Sequence, residues 1–251
     1  MLFIKSNSMR KLIAEGFVIF TSIIASFSVE NYRESSQEKE ILNDAVITLG
    51  DEITSNIKYT KEHLEQVKNV FYITDEIIKR FKTISMENIY DIHSNNPFLH
   101  TISTDGEITY IKKYDNEFDT LIMFTAWLAW EPETIFFQSM LNSGKLLEIK
   151  NKKLRVEIES IYTKQEERVD GMAKFTLENC AQIQNWFLDS QNKVKYDISL
   201  KDVFERFRNQ ELKNSLKFKR STLKARIIDI EAYLQSLQNV VLLISTEYKS
   251  L

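Results

Sequence analysis

Hydrophobic positions along the chain follow a helical period almost throughout. Between residues 35 and 82, apolar side chains recur at alternating intervals of three and four, and Thr60 and Thr74 occupy two of the positions. This spacing is typical of a coiled-coil-like packing surface and predicts one long helix over residues 35–82. The apolar positions are Leu42, Val46, Leu49, Ile53, Ile57, Leu64, Val67, Phe71, Ile78 and Phe81.

A second surface of the same period lies near the end of the chain, where residues 215–249 are predicted to form the closing helix. We expect this helix to pack antiparallel against the long helix. Arg220 interrupts its apolar pattern, so we expect it in or near the contact, where a buried guanidinium requires a carboxylate partner. The apolar positions are Leu216, Leu223, Ile227, Ile230, Leu234, Leu237, Val241, Ile244 and Tyr248.

Several polar side chains of these two helices are expected on solvated faces. His63 is assigned to the exposed side of the long helix. The closing helix carries six cations, which are also assigned to a solvated face, because runs of charge on a helix usually face water; contact with anionic lipid or nucleic acid is the alternative. The six cations are Lys213, Lys217, Lys219, Arg220, Lys224 and Arg226.

Residues 12–29 form an apolar stretch that only Glu15 interrupts. As a helix it would be about 27 Å long, which approaches the ~30 Å hydrocarbon core of a bilayer. We favour an uncleaved transmembrane helix. A cleaved signal peptide is the alternative suggested by the basic residues 1–11 and by the small residues from Ala25 to Ser28, but Glu15 interrupts its apolar region. A buried core helix is the third interpretation, and the segment is apolar on every face rather than along one stripe.

The flanking cations indicate the orientation of this segment. Lys5, Arg10 and Lys11 precede it, whereas Arg33 and Lys39 follow it. Because Lys and Arg favour the cytoplasmic side, we expect the N-terminus in the cytoplasm and residues 30–251 outside the bacterial inner membrane. No helix breaker separates residues 30–39, so the transmembrane helix is expected to continue into the long helix.

Glu15, Ser22 and Ser26 share one face of the apolar segment. Polar and small residues on one face favour association between membrane helices, so we expect a homo-oligomer or a membrane protein partner. For Glu15 itself we favour pairing with Lys11 or reaching the headgroups. A contact in an oligomer is the second interpretation of Glu15, and a place in an ion path is the third.

The middle of the chain is predicted to contain a loop or small β-hairpin over residues 95–113, followed by helices over 115–142, 145–190 and 200–212. Thr, Ile and Tyr alternate around Asp105 and Gly106, which is a hairpin pattern. Residues 118–130 are predicted to form a buried core helix, with contact to lipid as the alternative. Pro132 is expected in the first turn of the next helix, which ends at the Asn142-Ser143-Gly144 stop.

Composition and motifs provide little evidence for catalysis. The chain has 33 basic and 36 acidic residues, so no overall positive charge indicates a nucleic-acid partner. Cys180 is the single cysteine and is expected to be buried. Two imidazoles and a carboxylate could bind zinc, but the spacing of His93, His100 and Asp91 matches no recognised ligand pattern. The sequence therefore predicts no catalytic residue, no cofactor and no metal site.

The chain resembles a family of bacterial single-pass, membrane-anchored helical proteins of unknown function. The resemblance begins with the Glu15-Gly16 pair, the apolar span and the exit segment Glu30–Glu34, where the family has the order Gly-Glu and a Trp in place of Tyr32. It continues with residues 140–155, a helix stop and restart around Ser-Gly-Lys-Leu, and with residues 209–251 as a long closing helix. The resemblance implies a single-pass anchor and a helical body.

The sequence thus predicts an all-α protein with a basic N-terminus (residues 1–11), a transmembrane helix (12–29) and an antiparallel helical bundle (30–251). The expected function is non-enzymatic: a scaffold, sensor or interaction module at the bacterial envelope, with membrane lipid as one partner. One alternative is a membrane-disrupting or channel-forming effector, for example in anti-phage defence. The other is an enzyme whose site has no recognised motif.

Overall fold

The computed structural model describes the backbone of residues 4–102, 108–113 and 117–248, and the side chains of residues 17–101, 108–113 and 117–248. Within these residues the protein is all-α, with one small antiparallel sheet formed by β1 (His100–Ile102) and β2 (Ile108–Tyr110). The helices are α1 (Ile4–Lys79), α2 (Met86–Asn95), α3 (Glu117–Thr125), α4 (Ile135–Asn142), α5 (Lys145–Glu148), α6 (Lys152–Ser160), α7 (Glu166–Asn192), α8 (Leu200–Phe207) and α9 (Gln210–Glu247).

Helix α1 is continuous over 76 residues and lies in two different environments. From Phe17 to Ile41 every side chain is exposed, including the apolar ones. From Ala45 onward, the apolar positions of the predicted packing surface are buried or half-buried in the bundle. One helix therefore joins an apolar segment without packing partners to the protein core.

Helices α1 and α9 pack antiparallel over most of the length of α9, as the two apolar patterns predict. Gly50 lies against Ile244 near one end, and Asp75 binds Arg220 near the other. A Cβ atom at Gly50 would lie 3.3 Å from the Ile244 Cγ2 atom, so the absence of a side chain allows the close approach of the helices. Burial of both apolar surfaces stabilises this pair.

A third long helical element lies against α9. It begins with α6, passes through a π-helical turn over Ile161–Gln165 and continues as α7. The turn overlaps the stretch 163–168, which contains no apolar residue. Near the far end of α7, Trp186 Nε1 donates to Asn209 Oδ1 at 3.0 Å. The α1, α7 and α9 helices thus enclose the core.

The prediction of a continuous helix to residue 130 and of a helical start at Pro132 was wrong. Helix α3 ends at Thr125 and α4 begins at Ile135, so Pro132 lies in a non-helical connecting segment, Ala126–Thr134. Apolar composition favoured helix here, but side chains of α1 and α9 satisfy the extended backbone instead. Phe124 and Trp130 are buried in the bundle, as a core location requires.

The predicted hairpin is present, and other boundaries shift by a few residues. In the hairpin, His100 is paired with Tyr110 and Ile102 with Ile108, while the predicted turn at Asp105 and Gly106 lies outside the described residues. Helix α8 ends five residues before the predicted limit of 212. The reason is Asn209, whose side chain accepts from the Leu212 N–H at 3.0 Å and so caps the start of α9.

Helix α9 is the element whose length and hydropathy would suffice to cross a membrane, within the side chains that the structure describes. Core helices meet the same criteria, and α9 packs against both α1 and α7. Its positions Leu216, Leu223, Ile230, Leu237 and Ile244 are buried at intervals of seven. Protein neighbours therefore cover this face of α9.

Candidate functional site

A row of polar side chains on α1 binds the connecting segment Ala126–Thr134 and the start of α4. Tyr59 Oη accepts from the Glu131 N–H at 2.8 Å. Asn56 accepts from the Glu133 N–H and donates to the Glu133 carbonyl, at 2.8 and 2.7 Å. Glu52 accepts from the backbone N–H groups of Phe136 and Phe137, which lack partners in the first turn of α4. The row thus replaces hydrogen bonds that a helix would have supplied.

Two buried cations of α9 bind the carbonyl groups at the end of α3 and in the connecting segment. Lys219 Nζ donates to the Phe124 carbonyl at 2.7 Å. Arg226 donates to the carbonyls of Trp127 and Leu128, the latter at 2.6 Å. Both side chains are fully buried, so the expectation of a solvated face was wrong for these two of the six cations. Cations near a helix C-terminus are favourable because the carbonyl ends carry partial negative charge.

His63 completes this cluster. It is 4% exposed, so its assignment to the exposed side of α1 was wrong. Its Nε2 atom lies 2.8 Å from Arg226 Nη2, and because the guanidinium can only donate, the imidazole nitrogen accepts. Burial and, second, the positive charge of Arg226 lower the pKa of His63 to about 3. The imidazole is therefore neutral at physiological pH.

The connecting segment next to Arg226 has a strained backbone and packed aromatic rings. Leu128 adopts a φ of 56°, a left-handed conformation that costs about 1–2 kcal/mol for a residue other than glycine. The Trp130 ring packs edge-on against His63 and Tyr233, with centroid distances of 5.1 and 5.4 Å. Packing and the two Arg226 hydrogen bonds hold this strained conformation in place.

A cavity of about 290 Å³ opens beside this cluster. His63 and Leu128 contribute to its wall, together with Gln66 and His100, whose side chains lie 3.2 Å apart. His93, by contrast, is buried and packs against Phe98. His93 and His100 therefore do not converge, and no group of three or more metal-ligating side chains occurs within the described residues.

The acid–base character of His63 and Cys180 does not suit general base or thiolate chemistry. His63, with its pKa of about 3, is a weak base at neutral pH. Burial raises the pKa of the Cys180 thiol, whose sulfur lies 3.5 Å from the Ala126 carbonyl. A thiol in this state is not an activated nucleophile. The cluster has the features of a structural junction between α1, α9 and the connecting segment.

A second polar cluster lies at the π-helical turn. Tyr162 donates to Glu52 at 2.7 Å, and Glu166 follows the turn with a buried Oε2 atom that has no hydrogen-bond partner in the described part of the chain. Burial, followed by the negative charges of Asp170 and Glu52, raises the pKa of Glu166 to about 7. π-helical turns are frequent at functional sites because they displace the side chains around them.

Replacing Glu166 with Gln should stabilise the protein increasingly as the pH rises above 4.5, the pKa of the unfolded chain, and fully above about 7. The pKa of this carboxyl is about 7 in the folded protein against 4.5 in the unfolded chain, so ionisation favours unfolding as pH rises through this window. After discounting for solvent screening, we expect E166Q to gain about 1–2 kcal/mol at about pH 8 and nothing at about pH 4. Urea unfolding at both pH values measures the difference. The exposed neighbour Glu167→Gln is the control, and equal gains for both variants would contradict the assignment.

The residues predicted from the sequence lie apart from these clusters. Ser22 and Ser26 share an exposed face of α1, and each hydroxyl donates to the backbone carbonyl four residues earlier, at 2.7 and 2.8 Å. The side chain of Glu15 lies outside the described residues. Arg220 is half-exposed between α9 and α1, where its expected carboxylate partner is Asp75, at 3.0 Å.

Sequence reasoning missed the residues that bind the connecting segment. Glu52, Asn56, Tyr59 and His63 recur at the same 3–4 spacing as the neighbouring apolar positions, and this periodicity is the signal that could have located them. No family model, curated protein or solved structure shows a significant match to the chain. The function is therefore inferred from the arrangement of the residues alone.

Proposed function

We propose that this protein is a non-enzymatic, single-pass membrane protein whose helical bundle serves as a scaffold, sensor or interaction module at the bacterial envelope. One observation carries the proposal: α1 continues without a break from an exposed apolar segment into the core of the bundle. The proposal includes the resemblance to the membrane-anchored helical family. It also includes the association face of Glu15, Ser22 and Ser26, through which a homo-oligomer or a membrane partner would form.

The exposure of the apolar segment supports a bilayer as its surroundings. Phe17 and Phe27 are each 67% exposed, and Val18, Ile19 and Phe20 are similarly accessible. Apolar surface of this extent on every side of a helix is unfavourable in water, whereas the hydrocarbon of a membrane would cover it. The hydroxyl groups of Ser22 and Ser26 bind their own helix, which also suits an apolar environment.

The continuity of α1 suggests how such a protein could act as a sensor. Residues 30–41 form an exposed helical stalk with no break, and the same helix then supplies Glu52, Asn56 and His63 to the buried clusters. A tilt or rotation of the membrane segment would therefore be transmitted to the connecting segment along a single rigid helix, α1. Helix shifts of this kind are an established way of transmitting a signal.

Topology and fractionation together test the proposal. We expect the full chain to sediment with membranes and to have the mass of the uncleaved chain, because the apolar segment is an uncleaved anchor in this proposal. Reporter fusions after Glu40 and after Leu251 should both report the extracytoplasmic side, following the positive-inside rule. A soluble or N-terminally cleaved protein would contradict the anchor, and two cytoplasmic reports would reverse its orientation. Membrane depolarisation on expression would instead favour the membrane-disrupting alternative.

A further inference from the structure

The end of the bundle from which the stalk emerges carries a compact group of cations. Residues 145–155 contain five cations and one acid, a net charge of +4 in a chain whose net charge is −3. Leu141 and Leu147, which are 48% and 70% exposed, lie among them. We call this surface the basic end patch; its members are Leu141, Lys145, Leu147, Lys150, Lys152, Lys153 and Arg155.

Contacts with α1 and α9 establish the position of the patch. Glu52 binds the start of α4, near the point at which α1 enters the bundle. Asn151, which caps the start of α6, donates to Glu247 at the C-terminal end of α9. Because α9 runs antiparallel to α1, Glu247 also lies at the entry of α1. The basic end patch therefore faces the side of the bundle that the stalk connects to the apolar segment.

The cations of the patch differ from those at the opposite end of the bundle. There, Lys79 pairs with Asp75, Lys201 with Glu87 and Arg206 with Asp202. Within the described residues, none of the five patch cations forms a salt bridge, and Arg155 donates to the Leu147 carbonyl instead. The patch thus has positive charge that the protein itself does not neutralise.

The location of these cations is also unfavourable for the helix that carries them. Lys152 and Lys153 occupy the first two positions of α6, whose first turn contains no acidic residue. The N-terminal end of a helix carries partial positive charge, so lysines there are repelled rather than stabilised. Helix stability therefore does not account for these two lysines.

We propose that the basic end patch docks the bundle onto the anionic phospholipid headgroups of the membrane in which the protein is anchored. Clustered lysines beside exposed leucines match such a surface, because the cations bind lipid phosphates while the leucines enter the headgroup boundary. This inference rests on the proposed membrane anchor, since the anchor holds the patch near a bilayer.

Docking requires α1 to lean toward the membrane. If α1 stood upright, residues 30–45 would hold the entry of the bundle about 24 Å above the hydrocarbon core, beyond the reach of lysine side chains. Transmembrane helices tilt by up to about 40°, and a bilayer thins around a span as short as this one, so a lean toward the side of α5 and α6 would lower the patch to the headgroups. The bundle would then lie close to an anionic membrane and stand away from a neutral one.

Site-specific labelling of the full chain in vesicles tests this docking. A fluorophore on Leu147→Cys reports the patch, and one on Thr83→Cys reports the opposite end of the bundle. The wild-type chain is the labelling blank, because Cys180 is buried. In vesicles containing phosphatidylglycerol, we expect spin-labelled headgroups to quench the Leu147 label several-fold more than the Thr83 label. In pure phosphatidylcholine, or at high salt, the two labels should be quenched alike.

A charge-reversed variant provides the matched control. Lys145, Lys150, Lys152 and Lys153 are replaced together by Glu, which should abolish the extra quenching at Leu147. Acidic residues complement the start of α6, so this variant is expected to unfold at no lower a temperature than the parent. Equal quenching of both labels in anionic vesicles would overturn the proposal. The proposal would also be overturned if shielding of the Leu147 label depended on protein density and not on lipid charge. The patch would then contact a second copy of the chain.

Flotation separates this inference from the proposed anchor. The protein should float with phosphatidylcholine vesicles, where the patch has no anionic surface to bind and the apolar segment alone holds it. Loss of this flotation would contradict the anchor, and the Leu147 label in anionic vesicles would still decide whether the patch binds lipid. Flotation without Leu147 quenching would overturn docking and leave the anchor intact.

Discussion

Replacing Ile23 and Ile24 together with Arg should transfer the protein from the membrane fraction to the soluble fraction. Both side chains are about half exposed on α1 and lie near the middle of the proposed span of residues 12–29. Each arginine near the centre of a membrane helix costs about 2.5–3.5 kcal/mol of insertion free energy, so two add about 5–7 kcal/mol. Neither residue packs against the bundle, so the released protein should keep its helical content, which circular dichroism measures.

The same substitution on α9 is the matched control, because α9 also has the length and hydropathy of a membrane helix. Ile228 and Leu242 are exposed on α9, at 58% and 63%. Since α9 belongs to the bundle, replacing both with Arg should leave the protein in the membrane fraction. If the α9 variant were released and the α1 variant were not, α9 would be the anchor and the proposed topology would be wrong.

The Arg226→Met variant should lose about 3–5 kcal/mol of unfolding free energy, because three buried acceptors lose a charged donor at about 1–3 kcal/mol each. Methionine fills a similar volume, so the loss would come mainly from hydrogen bonds. The carbonyls of Trp127 and Leu128 would lose their donor, and His63 would lose the group that its Nε2 atom accepts from. Leu128 would also be free to leave its left-handed conformation. Urea unfolding, followed by tryptophan fluorescence, measures the change.

Arg220→Met is the control for Arg226→Met, because it removes an arginine from a different face of the same helix. Arg220 is 37% exposed and pairs with Asp75 alone among the charged side chains that the structure describes, so its loss should cost less than about 1 kcal/mol. Equal losses for the two variants would show that the general loss of charge on α9, and not the buried junction, determines stability.

The helices and their pairing follow from the sequence for a physical reason. The 3–4 spacing of apolar residues is local information, and over a long segment only a helix places all of them on one face. Two apolar faces of similar length must both be buried, and packing them against each other buries both. This argument predicted the antiparallel pair of α1 and α9. The hairpin was likewise predicted from alternating residues around a turn.

Tertiary structure alone determined the connecting segment. Residues 126–130 are apolar and read as helix, but the chain leaves the helix after Thr125. Tyr59 and Asn56 of α1 and Arg226 of α9 then supply the hydrogen bonds that a helical backbone would have made internally. These partners are 70 or more residues away along the chain, so a local pattern could mark them as facing the core but not show that they bind this segment.

The same long-range contacts decided which polar side chains are buried. His63, Lys219 and Arg226 were assigned to water because they are polar, whereas Arg220 interrupts the predicted packing surface of α9 and yet remains half-exposed. Burying a cation is favourable only where acceptors compensate for its lost hydration. The carbonyls of the connecting segment are those acceptors, and they are available only because that segment is not helical. The sequence by itself determined the helical framework, and the tertiary structure decided where its charges could be buried.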